Sequence, residues 1–85
     1  MRGIMTITVL CFAQAREHVG RARVTLELPE GSRVADALAA IERDHPALAP
    51  LRPHLAVAVD QRLVRADAPL VHGAELALLP PVSGG

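Results

Sequence analysis

The sequence predicts a small α+β domain, a mixed sheet with one main helix packed across it. Three observations predict it. Two segments near the start alternate apolar and polar residues with period two, one segment in the middle repeats with helical period, and short strand patterns resume before the end. At 85 residues the chain can bury one core and no second one. Hydrophobic residues make up 51% of it and are nearly all aliphatic, which marks a packed chain.

The first segment runs from Met5 to Phe12. Met5, Ile7, Val9 and Cys11 share one face, Thr6 and Thr8 lie on the other, and β-branched residues dominate, so it reads as a strand. From Ala22 to Leu28 the alternation is stricter. Ala22, Val24, Leu26 and Leu28 face one way and Arg23, Thr25 and Glu27 the other, as in a half-buried strand pairing antiparallel with the first. Between them, Ala15 to Val19 can form a helical turn stopped by Gly20.

Pro29-Glu30-Gly31-Ser32 is a turn, with Ser32 placed to cap the helix that follows. Val34, Ala37, Leu38 and Ile41 recur at helical spacing, and Pro46 ends the helix by biasing His45 away from helical angles. Pro46, Pro50 and Pro53 predict an irregular connection, anchored by Leu48 and Leu51. Leu55, Val57 and Val59 mark a third strand. Asp60-Gln61 is a short turn, and Arg62-Leu63-Val64 a brief return strand. Pro69 to Gly73 leads into a last strand, Glu75 to Leu79. The handedness preference of parallel crossovers allows this last strand to lie beside the first. A hairpin, one helix and returning strands in that order describe the β-grasp, or ubiquitin-like, roll. It is expected as a single domain over residues 1–85, with 80–85 a flexible functional C-terminal tail.

Composition removes several functions. Nine arginines balance nine acidic residues, and Phe12 is the only aromatic residue, which argues against nucleic-acid binding. One cysteine excludes an internal disulfide and a multi-cysteine zinc site. No segment approaches the roughly 20 apolar residues of a membrane helix, so no membrane partner is expected. Arg2, the apolar stretch from Ile4 to Phe12 and Ala13-Gln14-Ala15 imitate a signal peptide. Thr6 and Thr8 at alternate positions make that stretch a strand instead, and cytoplasmic residence is expected.

The side chains offer little chemistry. His18, His45, His54 and His72 are scattered without helical i,i+3 or i,i+4 pairing, so no metal site is expected. Cys11 has inward parity, where a thiol packs as a small inert hydrophobe. Asp36, Glu42 and Asp44 alternate with Arg33 and Arg43 as a solvated helix face.

The unusual feature is the ending, Leu78-Leu79-Pro80-Pro81-Val82-Ser83-Gly84-Gly85. Pro80 and Pro81 cannot donate ladder hydrogen bonds, so the chain must leave the sheet there, stiffened into an extended form. Pro80 to Gly85 can reach roughly 20 Å beyond the body at about 3.3 Å per residue. Gly84 and Gly85 have no side chains and fit a channel only as wide as a backbone. What they deliver is the α-carboxylate of Gly85. A carboxylate becomes a competent electrophile once coupled to AMP, and sulfur attack on the acyl adenylate yields a thiocarboxylate. None of these steps needs a catalytic side chain on this chain; a partner holding the tail supplies them. A glycine-ended terminus can also be inert.

Cys11-Phe12-Ala13-Gln14-Ala15-Arg16-Glu17-His18-Val19-Gly20, Ala58 to Val64, Pro69 to Leu76 and Pro80-Pro81-Val82-Ser83-Gly84-Gly85 together resemble the small subunit of molybdopterin synthase, a MoaD-type sulfur carrier of the ThiS-like superfamily. The likeness spans nearly all of the chain from Met5, and its ending is the most specific part. It implies that Gly85 is the reactive residue, adenylated by a ubiquitin-activating-like enzyme and then thiocarboxylated with sulfur from a donor enzyme. ATP is used by that partner, and no cofactor is bound by this chain. Pro80, Pro81, Val82, Ser83 and Gly84 then insert into the large synthase subunit, within a heterotetramer. Sulfur passes to cyclic pyranopterin monophosphate for molybdopterin synthesis.

Family members often carry aromatic residues just before the prolines, where this chain has Leu78 and Leu79, with less apolar area. Phe12 and Leu79 fall outside the inward parity and Leu63 sits in the short turn region; together they are the candidates for partner docking, or they complete a second side of the core. Sulfur carriage for thiamine or tRNA thiolation uses the same tail, although thiamine carriers usually lack part of the segment from Glu42 to Pro53. A ubiquitin-like protein modifier and a plain binding module with an inert tail complete the alternatives.

Overall fold

Ile4–Cys11 forms the first strand, β1, and its burial alternates as its sequence does: Met5, Ile7, Val9 and Cys11 are buried. The structure, a computed structural model, describes residues 3–80. β1 leads into a short helix, α1 (Ala13–Val19), which stops where Gly20 turns left-handed at φ 83° and its N–H donates to the Arg16 carbonyl at 2.7 Å. The helix therefore begins before the expected Ala15. The strand β2 (Arg23–Pro29) returns antiparallel to β1, pairing Leu10 with Arg23 and Met5 with Leu28. Ala22, expected as its first inward residue, is exposed and precedes the strand.

The main helix, α2 (Val34–Asp44), buries Val34, Ala37, Leu38, Ala40 and Ile41 against the sheet. Ser32 does not cap it. The Ser32 hydroxyl donates to the Pro29 carbonyl at 2.7 Å, inside the preceding turn. The orphan donors of the first turn find distant partners instead, Val34 N–H on the Ala68 carbonyl and Ala35 N–H on that of Ala66. Asp36 reaches back to the Arg33 N–H at 2.8 Å, so Arg33 is the N-cap.

The connection after α2 is more regular than its prolines suggest. It holds two 3₁₀ turns, Pro46–Leu48 and Arg52–His54, each with proline early, where a missing N–H breaks no bond. Leu48 is buried and Leu51 packs against the core. Arg52 pairs with Glu42, both partly shielded, so Glu42 pins this connection to α2 and is not simply solvated.

The strand β3 (Ala56–Val59) starts one residue after Leu55, which closes the second 3₁₀ turn. Asp60 and Gln61 have φ of 48° and 72°, both positive as a two-residue type I′ hairpin requires. β4 (Arg62–Val64) then pairs back with β3. The last strand, β5 (Glu75–Leu79), lies between β1 and β3, parallel to the first and antiparallel to the second. The sheet order is β2-β1-β5-β3-β4. Because β1 and β5 are parallel, Phe12 and Pro80 emerge at the same end of the sheet. Of the tail expected over 80–85, residues 81–85 lie outside the described residues.

Candidate functional site

β5 splits its last two leucines between two environments. Leu78 is fully buried opposite Cys11 and Val57, whereas Leu79 turns to the other face of the sheet and is half-buried. That outer face carries an apolar row fixed by register. Leu10 stands opposite Ala77, Ala77 opposite Ala58, and Ala58 opposite Leu63. Directly paired residues share a face, so two leucines flank a floor of two alanines.

The result is a groove of about 370 Å³ lined by these four residues together with Phe12, Leu79, Gln61 and Glu75. The three residues expected to dock a partner, Phe12, Leu63 and Leu79, are brought together in it. Phe12 is 44% exposed and Leu63 74%, so they do not complete a second core. Sequence parity pointed to Leu79 and Phe12, but it missed Leu10, Ala58 and Ala77. Leu10 and Ala77 share the parity of Phe12 and Leu79, two residues away along β1 and β5, whereas Ala58 on β3 is placed only by the strand register.

The groove lies where the chain leaves the sheet, since Leu79 lines it and Pro80 follows. Of the insertion residues, Pro80 is exposed beyond β5. Val82, Ser83, Gly84 and the Gly85 carboxylate lie outside the described residues, as does Pro81. The remaining groups have other roles. Burial pushes the Cys11 thiol up from its ordinary range, which keeps it protonated and unreactive. His72 uses Nδ1 to accept the Thr6 N–H at 3.0 Å. Among the described residues, no three His, Cys, Asp or Glu side chains gather to hold a metal. No helix there is long and apolar enough to cross a membrane.

The ThiS family pattern matches residues 9–85, from within β1 to the last glycine. The chain belongs to the ThiS family. The molybdopterin synthase sulfur carrier subunit of Chlamydomonas reinhardtii is 41% identical over 83 residues, covering 95% of this chain and all of that one. The subunit of the same name from Escherichia coli strain K12 is 43% identical over 81 residues, covering 93% and 99%. The crystal structure of SAMP1 from Haloferax volcanii superposes with a TM-score of 0.86 at 31% identity, covering 94% of this chain and 99% of that one. ThiS membership and these relatives agree with the resemblance read from the sequence, and the fold is the β-grasp roll.

Proposed function

We propose that this ThiS-family chain is the sulfur carrier of molybdopterin synthase. Family membership and relatives bearing that name support the sulfur-carrier role. The observation that carries the fuller reading is the groove of Phe12, Leu63 and Leu79 at the root of the tail. A partner held on that groove has the chain's terminus within reach of its own active site.

The chemistry resides in the main chain. The Gly85 carboxylate attacks the α-phosphorus of ATP on an activating enzyme, releasing pyrophosphate and leaving an acyl adenylate. Sulfide from the donor attacks the acyl carbon, the acyl–phosphate bond breaks to release AMP, and the product, after loss of the proton on sulfur, is a C-terminal thiocarboxylate. The large synthase subunit takes up Pro80 to Gly85, the thiocarboxylate sulfur bonds to cyclic pyranopterin monophosphate, and water cleaves the acyl–sulfur bond to restore the Gly85 carboxylate. Binding the tail in a narrow channel makes that transfer effectively intramolecular. The protein's contribution is to stay folded and present a side-chain-free end.

The test is intact-mass spectrometry after incubation with the cognate activating enzyme, ATP and a sulfur donor. Exchange of one oxygen for sulfur at Gly85 is expected, and conversion of precursor to molybdopterin on adding the large subunit. If no cognate activator ever produces the thiocarboxylate, the carrier reading fails. The likeness to SAMP1, whose longer name is small archaeal modifier protein 1, favours a second reading as a protein modifier. That reading predicts Gly85 joined to lysines of other proteins in place of free thiocarboxylate.

A further inference from the structure

The apolar groove does not end at Phe12. Leu10 and Phe12 also line a neighbouring hollow of about 300 Å³, which contains Arg16 of α1 and Arg23 of β2. No carboxylate lines that hollow among the described residues. Glu17, next to Arg16 in sequence, lines a different depression, with Pro50 and Leu51. Among the described residues the one carboxylate within 4.0 Å of either guanidinium is that of Glu75, which stands 4.0 Å from Arg23, the two side chains 44% and 71% exposed. Such an exposed pair contributes little.

The zero net charge of the chain therefore hides a local imbalance beside the tail root. Arg16 and Arg23 line a hollow whose other walls, Leu10, Cys11, Phe12, Ala13 and Ala22, are apolar, and Leu10 and Phe12 continue into the groove. An apolar middle with a charged rim, rich in arginine, is the composition of a protein-binding surface. A site for a small anion needs no such apolar floor.

We propose that Arg16 and Arg23 form a cationic rim of the docking groove and seat on an acidic patch of the large subunit, beside the mouth that receives the tail. This rests on the docking reading above and adds to it the charge of the partner's surface. The rim acts on encounter: it draws the carrier in tail-first, and the apolar groove then holds it.

The test is stopped-flow association of the full chain with the large subunit from the same genome, at about 20 to about 500 mM NaCl, across which screening becomes nearly complete. The wild-type association rate is expected to fall about tenfold or more over that range. Arg16→Glu with Arg23→Glu is expected to cut the low-salt rate by about tenfold and to flatten or invert the salt dependence, with dissociation changed less than about threefold. Arg16→Lys with Arg23→Lys should keep the wild-type slope, and Glu27→Arg, at the far end of β2, should leave the rate unchanged. Circular dichroism on each variant reports the fold. Equal rates and slopes for the wild type and the double reversal overturn the rim. So does saturable binding of inorganic phosphate that the reversal removes while association stays the same. Absence of any wild-type complex overturns the docking reading and the rim with it, whereas a complex forming at a salt-independent rate overturns the rim alone.

Discussion

Asp60 holds Glu75 by two hydrogen bonds: its N–H donates to the Glu75 carbonyl at 2.9 Å, and its Oδ1 accepts the Glu75 N–H at 3.0 Å. The β3–β5 ladder is thus prolonged one step past β3, through a residue already in the left-handed turn. This matters because β5 carries Ala77 and Leu79 into the groove, and its start is fixed here. Asp60→Ala removes the carboxylate acceptor and keeps the positive φ, so about 1–2 kcal/mol of stability should be lost. Gln61→Gly relieves the left-handed strain at the second turn position and should add about 0.5–1 kcal/mol. Urea melts of both variants check the opposite signs.

The turn at Asp60-Gln61 was legible because turn chemistry is local. The helix cap was not, for the opposite reason. Ser32 has a capping side chain but sits one residue before the N-cap, Arg33, and the carbonyls that satisfy the first N–H groups of α2 come from Ala66 and Ala68, far along the chain. The groove was half legible. Parity marked Phe12 and Leu79 as outward, whereas Ala58 and Ala77 carry no hydrophobic signal of their own. They become a floor only when the β1-β5-β3-β4 register sets them side by side. The Arg16–Arg23 hollow escaped a reading based on net charge, because a balanced total says nothing about placement.

Cys11 supplies a pH-dependent prediction. Its thiol is buried, and desolvation raises its pKa above the ordinary thiol range. In the window between the unfolded and folded values the unfolded chain has lost the proton that the native chain keeps. Stability should therefore be pH-independent on this account below the ordinary thiol range and should decline as pH rises through it. Cys11→Ala should abolish that decline. Native protein should react with a thiol reagent only as fast as it opens, which labelling kinetics against urea can show.

His72 offers a third check, at the opposite end of the sheet. Upstream of the β1–β5 pairing, Gly73 N–H donates to the Thr6 carbonyl at 2.8 Å, and His72 Nδ1 takes the Thr6 N–H. A side chain here stands in for a strand that has not yet begun. The bond is exposed, so water can replace it, and His72→Ala should cost only about 0.5–1 kcal/mol. Hydrogen exchange at Thr6 should quicken while Val9, in the centre of β1, keeps its protection. Uniform quickening across the strand would mean that His72 supports the whole sheet.

The groove separates docking from folding, which two substitutions exploit from opposite directions. Phe12→Asp places a charge on the apolar wall at a position already 44% exposed, so the fold should persist and complex formation with the large subunit should be abolished. Ala77→Leu removes nothing and adds a side chain on the outer face, filling the floor between Leu10 and Ala58. It should leave thermal stability nearly unchanged while weakening the complex by about tenfold or more, since a partner side chain can no longer enter. Calorimetric titration measures both affinities, and thermal melts of the free variants measure the fold. Normal binding by Phe12→Asp would remove the groove from the docking surface. Normal binding by Ala77→Leu alone would mean that the partner rests on the rim residues Phe12, Leu63 and Leu79 without entering between them.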